Sequence, residues 1–311
     1  LGEQPHDQEN EEKCRPFRGW DADHTGILTH FSPGGLKSST GEKRLIPRVF
    51  HAKKEPHLFQ RRLSMKFGIA DYGMNVWDGA CYDTAARLDD LKAIGYDGIE
   101  RLEAVSPSDA IAKAVLFRER GMDFATVRGP NAEATIRWTA ALGKNYTWTH
   151  SGSKDLDLFC RQVNVQARAA ERFGVKIGIH NHLGAAVESQ AQLETFLERC
   201  PTAGLVLDTG HLSAAGGDPV GIVKKYASRL LVVHVKDWIV KKPEIGLDKW
   251  QERGYFTTLG KGNIGQDNAL VLRTLKSAGY DGWVFVEHDT HLQEPLIDLK
   301  ESREYLRRAE K

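Results

Sequence analysis

From Met65 onward, short apolar runs with a period of two alternate with longer segments whose apolar residues recur every three or four positions. The strand-like runs are MKFGIADYG (65–73), YDGIERLE (96–103), MDFATVRG (122–129), NYTWTHSG (145–152), VKIGIHNHLG (175–184), AGLVLDTGH (203–211), LLVVHVKDW (230–238) and GWVFVEHD (282–289). Helices are predicted between them, among them TAARLDDLKAIG, DAIAKAVLFRERG, LDLFCRQVNVQARAAERFG, SQAQLETFLERC, DPVGIVKKYASR and NALVLRTLKSAG. Gly95, Gly121, Gly174 and Gly279 follow the last turns of four of these. A residue without a Cβ enters the left-handed region there at little cost. A charged amphipathic helix is predicted near PLIDLKESREYLRRAEK. Eight β-then-α units in about 250 residues predict an α/β fold, a (β/α)8 barrel. An open doubly wound sheet is the alternative. It would usually carry a Gly-rich phosphate turn after its first strand, and DYGMNVWDG is not G-x-G-x-x-G.

Residues 1–64 follow neither period. SPGGLKSSTGEKR reads as turn and linker chemistry, and RVFHAKKEPHLFQRR is basic and broken. No apolar stretch with a small-residue cleavage site marks a secretory signal. With Leu as the first residue, 1–64 is expected to be a disordered or non-native N-terminal extension of a catalytic barrel at 65–311. An arm that covers a partner subunit is the other reading of that segment.

Composition narrows the partners. The chain is 41% hydrophobic and 27% charged, with 43 Lys+Arg against 42 Asp+Glu and a net charge of +1. That balance gives no global electrostatic reason to bind nucleic acid or an anionic membrane. No stretch approaches the roughly 18 apolar residues a membrane span needs. Cys14, Cys81, Cys160 and Cys200 are scattered without a C-x-x-C, which argues against a cysteine zinc site and a disulfide framework. A cytoplasmic protein is expected, and a homo-oligomer is left open.

The histidines change the picture. Five of twelve lie in the leader, at His6, His24, His30, His51 and His57. The other seven are His150, His180, His182, His211, His234, His288 and His291. All are expected at or just past the C-terminal ends of strands, where barrel enzymes keep their chemistry, and none within a helix. Alternation puts Gly178, His180 and His182 on one face, then Gly204, Val206 and Asp208, then Val232, His234 and Lys236, then Trp283, Phe285 and Glu287. If these faces point inward, His180, Asp208, His234 and Glu287 meet at the mouth. Two imidazoles and two carboxylates suit one divalent ion, Mn2+ first, with Co2+, Fe2+ or Zn2+ as alternatives and Mg2+ disfavoured. Each residue also has a plainer reading: Asp208 as a turn cap, Glu287 paired with a lysine, Lys236 paired with Asp237 or Glu287. Glu100 and Glu103 read equally as site residues or as a solvated strand edge.

LVLDTGHLSAAGGDP, RLLVVHVKDW, LGKGNIG and AGYDGWVFVEHD, in that order, resemble the xylose-isomerase-like TIM-barrel superfamily of sugar and sugar-phosphate isomerases and epimerases. IHNHLGAAVES and the insert 239–263 are most similar to the inosose dehydratase group. The resemblance implies a metal held by Asp208, His234, Glu287 and the residue at 180, and substrate contacts from His211, His182 and Lys236. Two departures stand out. Many isomerases and epimerases of the superfamily have Glu where this chain has His180, which weakens a symmetric two-glutamate mechanism. Relatives also often carry an acidic residue in place of Lys261.

The expected function is a divalent-metal-dependent isomerase or epimerase of a sugar, sugar phosphate or keto-polyol. It would act by proton abstraction next to a carbonyl with stabilisation of the enediolate. Glu287 is the expected base, with His211 or Lys236 facing the oxyanion. The alternative is an inosose-type dehydratase, which shares the first half of that mechanism. A DNA-repair endonuclease on the same barrel and a non-catalytic sugar sensor are the readings from other classes. The first would want a basic groove that the balanced charge does not favour.

Overall fold

The computed structural model describes residues 65–70, 83–287 and 292–311. The expectations for the leader 1–64, for 71–73 and for His288 and His291 lie outside the described residues.

Eight strands form one parallel sheet: β1 (Lys66–Ile69), β2 (Gly98–Glu103), β3 (Asp123–Arg128), β4 (Tyr146–Trp148), β5 (Lys176–His180), β6 (Gly204–Asp208), β7 (Leu230–Val235) and, after a hairpin of β8 (Asp237–Val240) and β9 (Gly254–Thr257), β10 (Trp283–Val286). The order is β3-β2-β1-β10-β7-β6-β5-β4. The sheet is thus a nearly closed (β/α)8 barrel whose seam lies between β3 and β4. There the Thr126 hydroxyl donates to the Tyr146 carbonyl at 2.5 Å. Each strand falls inside its predicted run.

Several helices start where side chains satisfy free N–H groups. Asp83 caps Thr84–Ile94, Asp155 caps Leu156–Glu171, Asp267 caps Asn268–Ser277, and Ser189 with Gln192 closes a capping box on Gln190–Arg199. Gly95, Gly121, Gly174 and Gly279 all have positive φ, as their place after a helix requires. The helix Pro295–Ala309 lies against Thr84–Ile94: Arg303 and Arg307 donate to the carbonyls of Gly95 and Ile94. Among the described residues, no helix is long and apolar enough to cross a membrane.

Two apolar layers follow from the alternation. Outward residues such as Ile69, Ile99, Phe124, Ile177, Leu205, Val233 and Val286 join the core between sheet and helices. Inward residues Ala70, Ala125, Tyr146, Val206, Val232 and Phe285 make a smaller cluster in the lumen. The lumen is narrow, and glycines make room at its base. A Cβ on Gly98 would lie 1.8 Å from the Asp123 carbonyl oxygen, and one on Gly204 would lie 2.4 Å from Leu231 Cγ.

Elements not singled out from the sequence include the helix Ala132–Ala141, the short helix Thr209–Ala214 and the β8–β9 hairpin. The hairpin occupies the region read only as an insert. β8 follows β7 after a single residue, so no break in the sequence marks it, and β9 lies alone inside the insert.

Gly98→Ala should cost roughly 1–3 kcal/mol, the usual range for overpacking, because the atom it meets is backbone and cannot swing away. Thermal unfolding checks this; an unchanged melting temperature would mean that β2 and β3 can separate at the barrel base without loss.

Candidate metal centre and active site

Four strand ends bring His180, Asp208, His234 and Glu287 together. One ligand atom from each lies within 4.8 Å of all the others. Three of the four are buried and His180 nearly so. Glu287 Oε2 is the point of convergence. It lies 2.5 Å from His234 Nδ1, 3.2 Å from Lys236 Nζ and 3.7 Å from His180 Nε2. Asp208 Oδ2 lies 3.2 Å from His180 Nε2 and 3.1 Å from Lys236 Nζ. Lys236 therefore contacts both carboxylates, and the pairing with Asp237 does not occur. Asp237 instead turns to the loop LGKGNIG, where its carboxylate accepts from the N–H groups of Gly260 and Gly262 and from Asn268 Nδ2.

Asp208 serves two purposes through its two oxygens. Oδ1 accepts from the His211 N–H at 2.8 Å and caps the helix Thr209–Ala214, which leaves Oδ2 for the cluster. The plain reading as a turn cap is met, and the second oxygen stays turned toward the other three side chains. Buried Asn181 fixes the strand beneath. Its amide donates to the Asp208 carbonyl and accepts from the Asp208 N–H, each at 2.9 Å.

His211 corrects one expectation, since it lies in that short helix and not on a strand. Its ring is buried. Nδ1 accepts from the Leu183 N–H at 3.3 Å, so the neutral ring carries its proton on Nε2, which has no hydrogen-bond partner among the described residues. Burial, then the Lys236 charge, hold its pKa well below the usual imidazole range. His182 has the opposite polarity. Its Nδ1 lies 2.7 Å from the Leu183 carbonyl, which can only accept, so Nδ1 carries the proton and Nε2 the lone pair. Burial, then repulsion from His180, lower its pKa also. The two rings are 3.7 Å apart between centroids.

The remaining charges follow from burial in company. For Asp208 and Glu287 burial alone would raise the pKa, but Lys236 and the neighbouring histidines hold both carboxyls well below the usual range. For His234 burial alone would lower it, yet Glu100 and Glu287 push it up to about 10. His180 is raised in the same sense by Asp208 and Glu287. Glu100 and Glu103, treated alike in the sequence, part company. Glu103 is exposed and pairs with Arg128, whereas Glu100 is fully buried and reaches His234. Period two does not separate the pair, since Leu102 shares Glu100's parity yet joins the outer core; Glu103 is exposed because it ends the strand. His150 lies exposed beyond β4 and does not join the cluster.

A cavity of about 490 Å³ opens beside the cluster, within the usual range for small-molecule sites. Arg101, Trp148, His182, Trp250 and Phe256 line it. Trp148 stacks on His180 with ring centroids 4.6 Å apart. The β8–β9 hairpin supplies Phe256, 4.6 Å from the His211 ring.

The donor set fits a divalent cation. Two imidazole nitrogens and two carboxylate oxygens at this spacing can close on one ion with bonds of about 2.0–2.2 Å. The Lys236 ammonium already seats a positive charge against both carboxylates.

A family model described as "Xylose isomerase-like TIM barrel" matches residues 88–309. The chain is 33% identical over 150 residues to an inosose dehydratase of Bacillus thuringiensis (strain Al Hakam), an alignment that covers 45% of this chain and 50% of that protein. The chain thus spans about half the length of the curated relatives it matches. Among solved structures it superposes on a probable 3-DHS dehydratase, AsbF, from Bacillus anthracis with a TM-score of 0.62 at 12% identity, covering 78% of this chain and 99% of the other. It also superposes on the IOLI protein, described with a bound zinc atom, with a TM-score of 0.60 at 17% identity, covering 79% and 98%. At these identities the superpositions establish the fold alone.

Metal uptake tests the cluster. The full chain should take up one divalent ion per barrel. Asp208→Asn should lose the ion while keeping the helix cap. Asp208→Ala should lose both the ion and about 1 kcal/mol of stability. His180→Glu should retain metal. Full metal content in both Asp208 variants, by elemental analysis, would show that the ion binds elsewhere.

Proposed function

The chain belongs to the xylose isomerase-like TIM barrel family, and from that premise we propose that it is a metal-dependent lyase that removes water from a cyclic keto-polyol of the inosose class. The observation that carries this reading is the pair His182 and His211, fixed in opposite tautomers beside the cluster. The similarity to inosose dehydratases over half their length supports the substrate class.

His180, Asp208, His234 and Glu287 would hold the ion, Mn2+ first among Mn2+, Co2+, Fe2+ and Zn2+. When bound, such an ion polarises a substrate carbonyl and acidifies the neighbouring C–H. His182 Nε2 carries a lone pair at near-neutral pH and is the base we assign. Glu287, the base expected from the sequence, has one oxygen surrounded by His234, Lys236 and His180, which leaves it little affinity for a proton. His211 Nε2–H, a buried donor without a hydrogen-bond partner among the described residues, faces the oxygen on which negative charge develops. The proton taken by His182 then leaves with the β-hydroxyl: the C–H pair becomes the C–C double bond, the C–O bond breaks and water departs. His182 is thus acid as well as base, and no second carboxylate is needed. An isomerase or epimerase would share the first transfer and return the proton to carbon. His180, standing where a second glutamate would serve that return, favours the lyase. Buried free thiols at Cys160 and Cys200 accord with a reducing, cytoplasmic setting.

With the Mn2+-loaded full chain and a keto-inositol in D2O, the expected outcome is loss of one water per turnover and a conjugated, ultraviolet-absorbing product. His182→Gln should lower kcat by about 100- to 10,000-fold, the usual worth of general acid–base catalysis, with metal content unchanged. A stereoisomer formed without loss of water would replace the lyase by an epimerase.

A further inference from the structure

Glu100 belongs to neither the four-residue cluster nor the cavity lining, yet its carboxylate is fully buried in the barrel interior. A buried carboxylate is costly unless its oxygens are occupied. Oε1 accepts two hydrogen bonds from β4, from the Tyr146 hydroxyl at 2.9 Å and from Trp148 Nε1 at 2.7 Å. Those donors fix the group's rotation and present Oε2 to β7. There Oε2 lies 3.0 Å from His234 Nε2, off the line of the ring N–H. Neither atom has a hydrogen bond to any other group among the described residues. The opposite ring nitrogen, Nδ1, faces Glu287 in the cluster.

From this juxtaposition we infer that Glu100 is a positioning residue for His234. It holds the imidazole proton on Nε2, so that Nδ1 offers its lone pair to the cluster. The inference rests on the metal reading of that cluster. An imidazole can ligate an ion only through a deprotonated nitrogen, and the partner of the other nitrogen decides which one that is. Glu100 reaches His234 from across the lumen, three strands away in the barrel order, so the contact also ties β2 to β7 at the level of the site. Trp148 links the arrangement to a second proposed ligand, because the indole that donates to Glu100 stacks on His180. Glu100 does not touch the substrate cavity, and its effect on chemistry passes through His234.

The substitution Glu100→Gln reverses the polarity of this contact with almost no change of shape. Tyr146 and Trp148 are both donors and would keep the amide oxygen, which turns the NH2 group toward His234 Nε2. The ring must then accept at Nε2 and carry its proton on Nδ1, where the ion should bind. Mn2+ titrated into the chelator-stripped full chain is expected to bind Glu100→Gln about 10- to 100-fold more weakly than the unaltered protein, the range usual for loss of such a partner. Glu103→Gln, at the exposed end of the same strand, should bind as the unaltered chain does. In Zn2+-loaded protein, the 15N shifts of His234 should report a protonated Nε2 before substitution and its loss in Glu100→Gln, a signature that a packing role would not move. Mn2+ affinity within twofold of the unaltered chain, with the His234 shifts unchanged, would overturn the inference. If Glu100→Gln does not fold, Tyr146→Phe removes one of the two donors that hold Oε1: several-fold weaker Mn2+ binding is then expected, and unchanged binding overturns the role. Failure of the unaltered chain to bind any divalent ion would remove the metal reading itself, and the two failures are told apart in the same titration.

Discussion

Three carboxylates, Glu100, Asp208 and Glu287, are buried within one barrel lumen, and the site is organised around their charge. Each costs several kcal/mol to take out of water unless positive charge or hydrogen-bond donors surround it. The fold meets that requirement by converging strands. Lys236 reaches Asp208 and Glu287 together, His234 stands between Glu100 and Glu287, and His180 leans on the outer pair. A cluster so rich in anionic oxygens and imidazole nitrogens is a natural seat for a divalent cation, and the same field sets the protonation of everything near it. Lys236 helps keep His211 neutral, and His180 does the same for His182. The neutral pair can then divide the work of acceptor and donor.

Parallel strands make this precision affordable. Register along β6, β7 and β10 pairs Asp208 with His234 and His234 with Phe285, so that neighbouring strands end at nearly the same depth. Glycine at the base and Phe285 with Tyr146 above it fill the lumen and stop the inward side chains from collapsing. The backbone supplies the rest: Asn181 clamps β5 to β6, and Asp237 pins the loop around Gly260.

Much of this was legible in the chain because two simple periods hold for long stretches. The eight strands and the inward parity of His180, Asp208, His234 and Glu287 follow from alternation, since each strand is buried on both faces and cannot slip without misplacing its polar ends. Glu100 was not legible from phase, because β2 departs from strict alternation: Ile99 and Leu102, on opposite parities, both join the outer core, so period two cannot tell Glu100 from Glu103. Other features were not legible. The short helix at His211 begins directly on a strand end, and its start is set by a side chain that also serves the site. The tautomers of His182 and His211 depend on the backbone of Leu183, and only a folded turn brings that backbone to both rings. The hairpin's first strand follows β7 after a single residue, with no break in the pattern to mark where one ends and the other begins.

Everything proposed for the chemistry depends on this one lumen seating a divalent ion between two imidazoles and two carboxylates. Diffraction from crystals of the full chain grown with Mn2+, recorded at the manganese absorption edge, tests it most directly. The account predicts one anomalous peak per chain, within bonding distance, about 2.0–2.3 Å, of His180, Asp208, His234 and Glu287. A lumen without such a peak, with Lys236 still seated between Asp208 and Glu287, would contradict it.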